Sequence, residues 1–143
     1  MFLLDTNVVS ELRRPSRTDQ RVAAWADSVP PLEMFLSSIT VLELETGALL
    51  LSRRDPPQGT LIRDWIENRV LPAFADRILS VDTAIARRCA ALHVPDPQPY
   101  RDSLVAATAL VHNLTVVTRN TADFQRMVVS MLNPWTYLIS HTD

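Results

Sequence analysis

Four acids in this chain stand where a carboxylate needs a reason. Asp5 ends the apolar run MFLL, and Glu43 lies inside SSITVLELETG at residues 37–47. Asp102 opens the apolar stretch DSLVAATALVHN, and Asp123 follows TVVTRNTA. Each has a reading that involves no chemistry. Asp5 and Asp102 suit helix starts, by capping or by the macrodipole. Thr40 to Glu43 fits the S/T-x-x-E capping box, and Asp123 is favourable in the first turn of a short helix. Jointly these readings are weaker, because clustered carboxylates repel one another and are usually retained for a cation. A site built only of oxygen donors suits Mg²⁺ or Mn²⁺. An ion held this way lowers the pKa of a water, orients it for in-line attack and offsets charge on a phosphorane, which is the chemistry of phosphodiester hydrolysis.

Other chemistries find little support. With only Gly47 and Gly59, the chain holds neither a P-loop nor a dinucleotide fingerprint. Its one cysteine, Cys89, permits no internal disulfide and reads as a core residue in a reducing, cytoplasmic setting. No cysteine–histidine spacing for structural zinc occurs. None of His93, His112 and His141 stands in a Ser–His–Asp pattern, and His112 reads as a cap or surface residue.

The 143 residues, 47% of them hydrophobic, fit one compact domain over residues 1–143. No apolar run approaches the roughly 20 residues of a membrane span, and no leader of the signal-peptide type precedes the first strand. The net charge of −2 says little about partners, but its distribution says more. All fourteen basic residues are arginine, and eight of them gather at Arg13, Arg14, Arg17 and Arg21, at Arg53 and Arg54, and at Arg87 and Arg88. Arginine favours bidentate contact with phosphate or carboxylate. These groups read either as a solvated surface or as a basic rim around an acidic centre.

Short apolar strands alternate with helical patterns along the chain. Strands are expected at Phe2 to Leu4, Met34 to Leu36, Arg77 to Val81, Thr115 to Thr118 and Val128 to Leu132. Helices are expected at Asn7 to Arg14, Asp19 to Val29, Ile39 to Leu51, Leu61 to Phe74, Asp82 to Leu92, from Asp102 onward, and briefly at Thr121 to Arg126. RRDPPQG reads as the one conspicuous loop, and VPDPQPY as a proline-broken connection. The alternation predicts an α/β fold whose parallel sheet is covered on both faces. In such sheets ligands bind beyond the carboxyl ends of the strands, where strand order reverses. Asp5 and Asp123 follow strands, and Glu43 and Asp102 lie near helix starts, so all four are expected at that edge.

The segments LLDTNVVSELRRP (3–15), SSITVLELETG (37–47), DSLVAATALVHNLTVVTRNTADF (102–124) and NPW (133–135), in this order, resemble a PIN-domain ribonuclease. The nearest likeness is to VapC/FitB-like toxins of type II toxin–antitoxin systems. The resemblance implies a three-layer α/β/α PIN domain with a central, mainly parallel sheet. It implies a Mg²⁺- or Mn²⁺-dependent endoribonuclease acting on tRNA or rRNA loops. The site residues it implies are Asp5, Glu43, Asp102 and Asp123, catalytic and metal-binding, with Asp5 and Asp102 as the direct ligands. Thr6, Asn7, Thr118 and Asn120 are implied as polar support. A homodimer is implied, inhibited by a cognate antitoxin through which alone the toxin meets DNA. The antitoxin is expected on apolar surface from the first two helices and Ile39–Leu51, near Val8, Val9, Leu12 and Trp25, and an arginine of it among the carboxylates. The alternative is a weakly catalytic or non-catalytic FitB-like partner that works in complex with a DNA-binding antitoxin.

Overall fold

The computed structural model describes residues 1–139, so His141 lies outside the described residues. Five parallel strands form one sheet in the order β3-β2-β1-β4-β5: β1 (Phe2–Leu4), β2 (Met34–Ser37), β3 (Ile78–Leu79), β4 (Thr115–Val117) and β5 (Met131–Leu132). The chain winds outward from β1 to β3, then returns across β1 to β4. Strand order therefore reverses between β1 and β4, which puts the expected ligand crevice beyond Leu4 and Val117.

Alternation along the strands builds two cores, as a sheet covered on both faces requires. Leu4, Met34, Leu36 and Val117 turn to one face, where Val8, Val9, Trp25, Leu44 and Ala48 meet them from α1 (Thr6–Glu11), α2 (Gln20–Ser28) and α3 (Ser38–Arg54). Leu3 and Val116 turn to the other, against Val105, Ala106 and Ala109 of α7 (Tyr100–His112), with Phe124 and Met127 beneath the following 3₁₀ turn. The alanines bring α7 close to the sheet: Ala106, Ala107 and Ala109 are fully buried. Outside it, α6 (Thr83–Leu92) packs on α7 through Ile85 and Cys89, and Cys89 is a core residue as expected. This is the three-layer α/β/α arrangement. No described helix is long and apolar enough to cross a membrane.

Several boundaries differ from expectation for identifiable reasons. RRDPPQG is not a loop. Helix α3 runs through Arg54, and α4 (Pro56–Trp65) begins two residues later. Proline is at home in a first turn, where its missing N–H has no partner to lose, and the Asp55 side chain caps the new helix by accepting from Gln58 N–H at 3.3 Å. The following π-type turn, Ile66–Val70, lets Leu71 N–H reach the Ile66 carbonyl just ahead of Pro72, and a short α5 (Leu71–Ala73) ends the path. Helix α1 stops at Glu11 instead of running to Arg14. Val8, Val9 and Trp25 are buried, so of the apolar set expected to meet an antitoxin only Leu12 stays partly open. Exposed His112 closes α7, and Asn113 ends it in the left-handed conformation (φ 55°) that asparagine tolerates.

Candidate active site

Asp5 is the centre of the site. It leaves β1 in extended conformation with its side chain wholly buried, so every lone pair needs a donor. Its Oδ1 accepts from Thr6 N–H at 2.8 Å, which makes it the N-cap of α1, and also from Arg101. Its Oδ2 accepts from the Thr118 hydroxyl at 2.8 Å and from Asn7 Nδ2 at 3.4 Å. The capping and site readings of Asp5 are thus compatible: one oxygen caps the helix and still accepts from Arg101.

Thr118 follows β4, on the far side of the reversal point, and is itself held by Asn7 Nδ2 at 3.3 Å and Asn120 N–H at 3.0 Å. Asn7 Oδ1 in turn accepts from Arg119 N–H at 3.1 Å. Two strand ends are thereby locked together through Asn7 and Thr118, with Asn120 contributing its backbone.

Glu43 is not in a capping box. Ser37 is the N-cap of α3, accepting from Ile39 N–H at 3.0 Å, which leaves Thr40 one turn too deep to cap, its buried hydroxyl unpartnered. Freed from that task, Glu43 accepts a 2.5 Å bond from the Thr6 hydroxyl. Asp102 sits in the first turn of α7, and its side chain is only 13% exposed.

Between these three acids lies Arg101, which the sequence had not singled out. Its Nη2 bonds Asp5, and also Glu43 at 2.8 Å; Nε meets Glu43 at 3.0 Å, and Nη1 meets Asp102 at 2.7 Å. Burial alone would lower the pKa of this guanidinium, but the bonds to Glu43, Asp5 and Asp102 and the charge of Asp5 outweigh it. The net shift is upward, so Arg101 stays charged at any pH at which the protein folds. The only signal in the sequence was its position beside Asp102.

Asp123 does not join the cluster. It lies exposed in the 3₁₀ turn Thr121–Met127, and among the described residues no bond links its side chain to Asp5, Glu43 or Asp102. A cleft of about 450 Å³ opens from Thr6 and Glu43 past Arg13 and Gly47 to Trp65. Arg13 therefore flanks the approach to the acids. Partial burial and neighbouring Arg14 both disfavour its charge, which an anion would relieve.

The donor set tests well against a divalent ion. Three carboxylates and a hydroxyl converge on one positive group, with no sulfur or imidazole among them. Among the described residues no three acids, histidines or cysteines yet stand at metal-ligand spacing. A guanidinium is broader than a metal ion, and the acids are spread around it.

Known proteins resemble the chain over most of its length. Residues 2–129 match the PIN domain family. The chain is 42% identical to Toxin FitB of Neisseria gonorrhoeae, over 94% of this chain and 99% of that protein. It is 36% identical to VapC ribonuclease Y4jK of Sinorhizobium fredii, over 94% and 98%. The crystal structure of FitAcB from Neisseria gonorrhoeae superposes with a TM-score of 0.86 at 39% identity, covering 95% of this chain and 99% of that one. A structure of FitAB bound to a DNA fragment aligns with the same TM-score at 37% identity, over 99% and 100%.

Proposed function

The chain belongs to the PIN-domain family, and on that premise we propose that it is the toxin of a type II toxin–antitoxin pair, hydrolysing RNA at the Asp5 site. The observation that carries this reading is the convergence of Asp5, Glu43 and Asp102 from three distant parts of the chain on one cation. The proposal includes one PIN domain over residues 1–143, a homodimer, and action on single-stranded tRNA or rRNA loops in the cytoplasm. Such loops present accessible phosphates and unstacked bases.

Asp5, Glu43 and Asp102 would hold Mg²⁺ or Mn²⁺, and Asp123, exposed on its 3₁₀ turn, would position substrate or water. Bound there, the ion supplies Lewis-acid activation of water and neutralises charge developing at phosphorus. The chain's own residues do the rest. Thr118 and Asn7 fix the plane of the Asp5 carboxylate, and Thr6 steadies Glu43. Arg13 and its neighbours Arg14 and Arg17 draw the RNA backbone toward the cleft, which gives binding a salt dependence.

The antitoxin partner is proposed on the face between α1 and α4. A cleft of about 760 Å³ there is lined by Leu12, Leu61, Trp65 and Arg69, among others, and suits an amphipathic segment. The relatives FitAB and VapBC were solved as complexes, some with DNA, which supports contact with DNA only through the antitoxin. A second reading, a non-catalytic partner in such a complex, draws on Arg101, whose ion pairs satisfy the acids without any metal.

The test is cleavage of a single-stranded RNA by the isolated protein across a Mg²⁺ or Mn²⁺ titration. Asp5→Asn and Asp102→Asn should abolish cleavage and growth arrest while leaving the protein folded, since asparagine caps a helix as well as aspartate does at position 5 and Asp102 lies inside its helix, whose N-cap is Pro99. Asp123→Asn should cost less. Undiminished cleavage by the Asp5 and Asp102 variants refutes the site. Calorimetry that finds no divalent-ion binding favours the non-catalytic reading.

A further inference from the structure

Arg101 commits most of its hydrogen-bonding capacity to groups that the proposed reaction needs for something else. All three of its nitrogens are engaged: Nε on Glu43, Nη1 on Asp102, and Nη2 on Asp5 and Glu43, with Thr6 Oγ1 at 3.5 Å. An anion arriving now finds only the second N–H of Nη1 without a carboxylate on it. The charge balance is also wrong for RNA, because three carboxylates against one guanidinium leave the centre negative. A divalent cation would bring the same four groups to neutrality, and only then is a phosphate welcome.

The two cations compete for the same oxygens. Oδ1 of Asp5 already serves Thr6 N–H and Arg101, so the direction it offers the cleft is the one Arg101 fills. The absence of metal-ligand spacing among these acids fits the same picture, since they are arranged around a broad planar group. Departure of Arg101 costs no core packing. Its side chain is 32% exposed, and it stands in the first turn of α7, at the mouth of the crevice.

Resting on the nuclease reading above, we infer that Arg101 is a relocating cation. In the free chain it holds the ion's place among Asp5, Glu43 and Asp102, and when a divalent ion takes those carboxylates its freed guanidinium binds the RNA phosphate. Arginine suits the second task through its planar fork, which matches a phosphate bidentately. Arg101 is thereby both a brake on metal binding and a substrate-binding residue. These two roles predict effects of opposite sign from a single substitution.

The experiment uses the full chain with Arg101→Gln and Arg101→Lys, circular dichroism checking the fold. Mn²⁺ affinity is measured by calorimetry without RNA, and kcat/KM on a single-stranded RNA at saturating Mn²⁺. Arg101→Gln should bind Mn²⁺ about tenfold more tightly or better, yet cleave roughly a hundredfold less efficiently, with a raised KM. Arg101→Lys, whose ammonium cannot span three carboxylates at once, should fall between wild type and Gln in both measurements. Unchanged or weaker Mn²⁺ binding in Arg101→Gln overturns the inference, and so does cleavage equal to or faster than wild type. Should the Gln variant not fold, an unchanged Mn²⁺ affinity in Arg101→Lys overturns it instead. Wild-type cleavage with equal affinities defeats only the role of Arg101. No Mn²⁺ binding and no cleavage by any of the three proteins defeats the nuclease reading itself.

Discussion

Asp5 caps α1 and pairs with Arg101 through one oxygen, while Thr118 and Asn7 hold the other. The cap needs only an acceptor for Thr6 N–H, whereas the site needs the negative charge aimed into the crevice. That aim depends on Thr118, a buried hydroxyl that donates to Oδ2 while accepting from Asn7 and from Asn120 N–H. Thr118→Val keeps the shape and removes the donor. It should lower RNA cleavage about 10- to 100-fold, as loss of an outer partner of a metal ligand usually does. Steady-state kinetics at saturating Mn²⁺ checks this, and an unchanged rate would mean that Asp5 is held well enough by Asn7 and Thr6 alone. At this scale the sequence was partly legible. Asp5, Glu43 and Asp102 declared themselves because a carboxylate beside apolar residues needs a reason. The capping-box reading of Glu43 failed because Ser37 took the cap first, a choice between neighbouring hydroxyls that local sequence does not settle. Arg101 was invisible because nothing in a run of letters says where a long side chain turns. Asp123 matched a motif, yet it sits exposed on its 3₁₀ turn.

The elements follow their residues closely where apolar periodicity speaks, and less closely where proline and glycine do. β1, β2 and β4 were readable as short buried runs. RRDPPQG misled because proline and glycine mark turns on average, while here Pro56 opens a helix and Gly59 sits inside it. The reason for Gly59 is contact with α3: a Cβ built on it would lie 1.9 Å from Ser52 Oγ and 2.5 Å from Ser52 Cα. Intrinsic helix propensity predicts that Gly59→Ala stabilises by about 1 kcal/mol. Overpacking against a neighbouring backbone costs roughly 1–3 kcal/mol and acts in the opposite direction. Contact with the Ser52 backbone should win, because a main-chain atom cannot rotate away. Gly59→Ala is therefore expected to lower the Tm by roughly 5 °C, measured by calorimetry. A raised Tm would show that α3 and α4 are farther apart than described.

At the scale of the whole molecule, topology does what sequence distance conceals. Asp5, Glu43 and Asp102 are separated by dozens of residues, yet each belongs to a segment that starts or ends at the carboxyl edge of the sheet. The reversal between β1 and β4 opens the crevice, and Asn7 with Thr118 ties its two sides. The fold class and this edge were readable from the alternation of strands and helices. The identity of the cation now at the centre was not, because it depends on the competition between Arg101 and a divalent ion.

That competition also gives the account its most direct test. Crystals of the free protein soaked in Mn²⁺ should show one anomalous peak enclosed by Asp5, Glu43 and Asp102, with the Arg101 side chain moved out of contact with Asp5. Absence of a peak at saturating Mn²⁺, with Arg101 still bonded to all three acids, would contradict the claim that these carboxylates are a metal site.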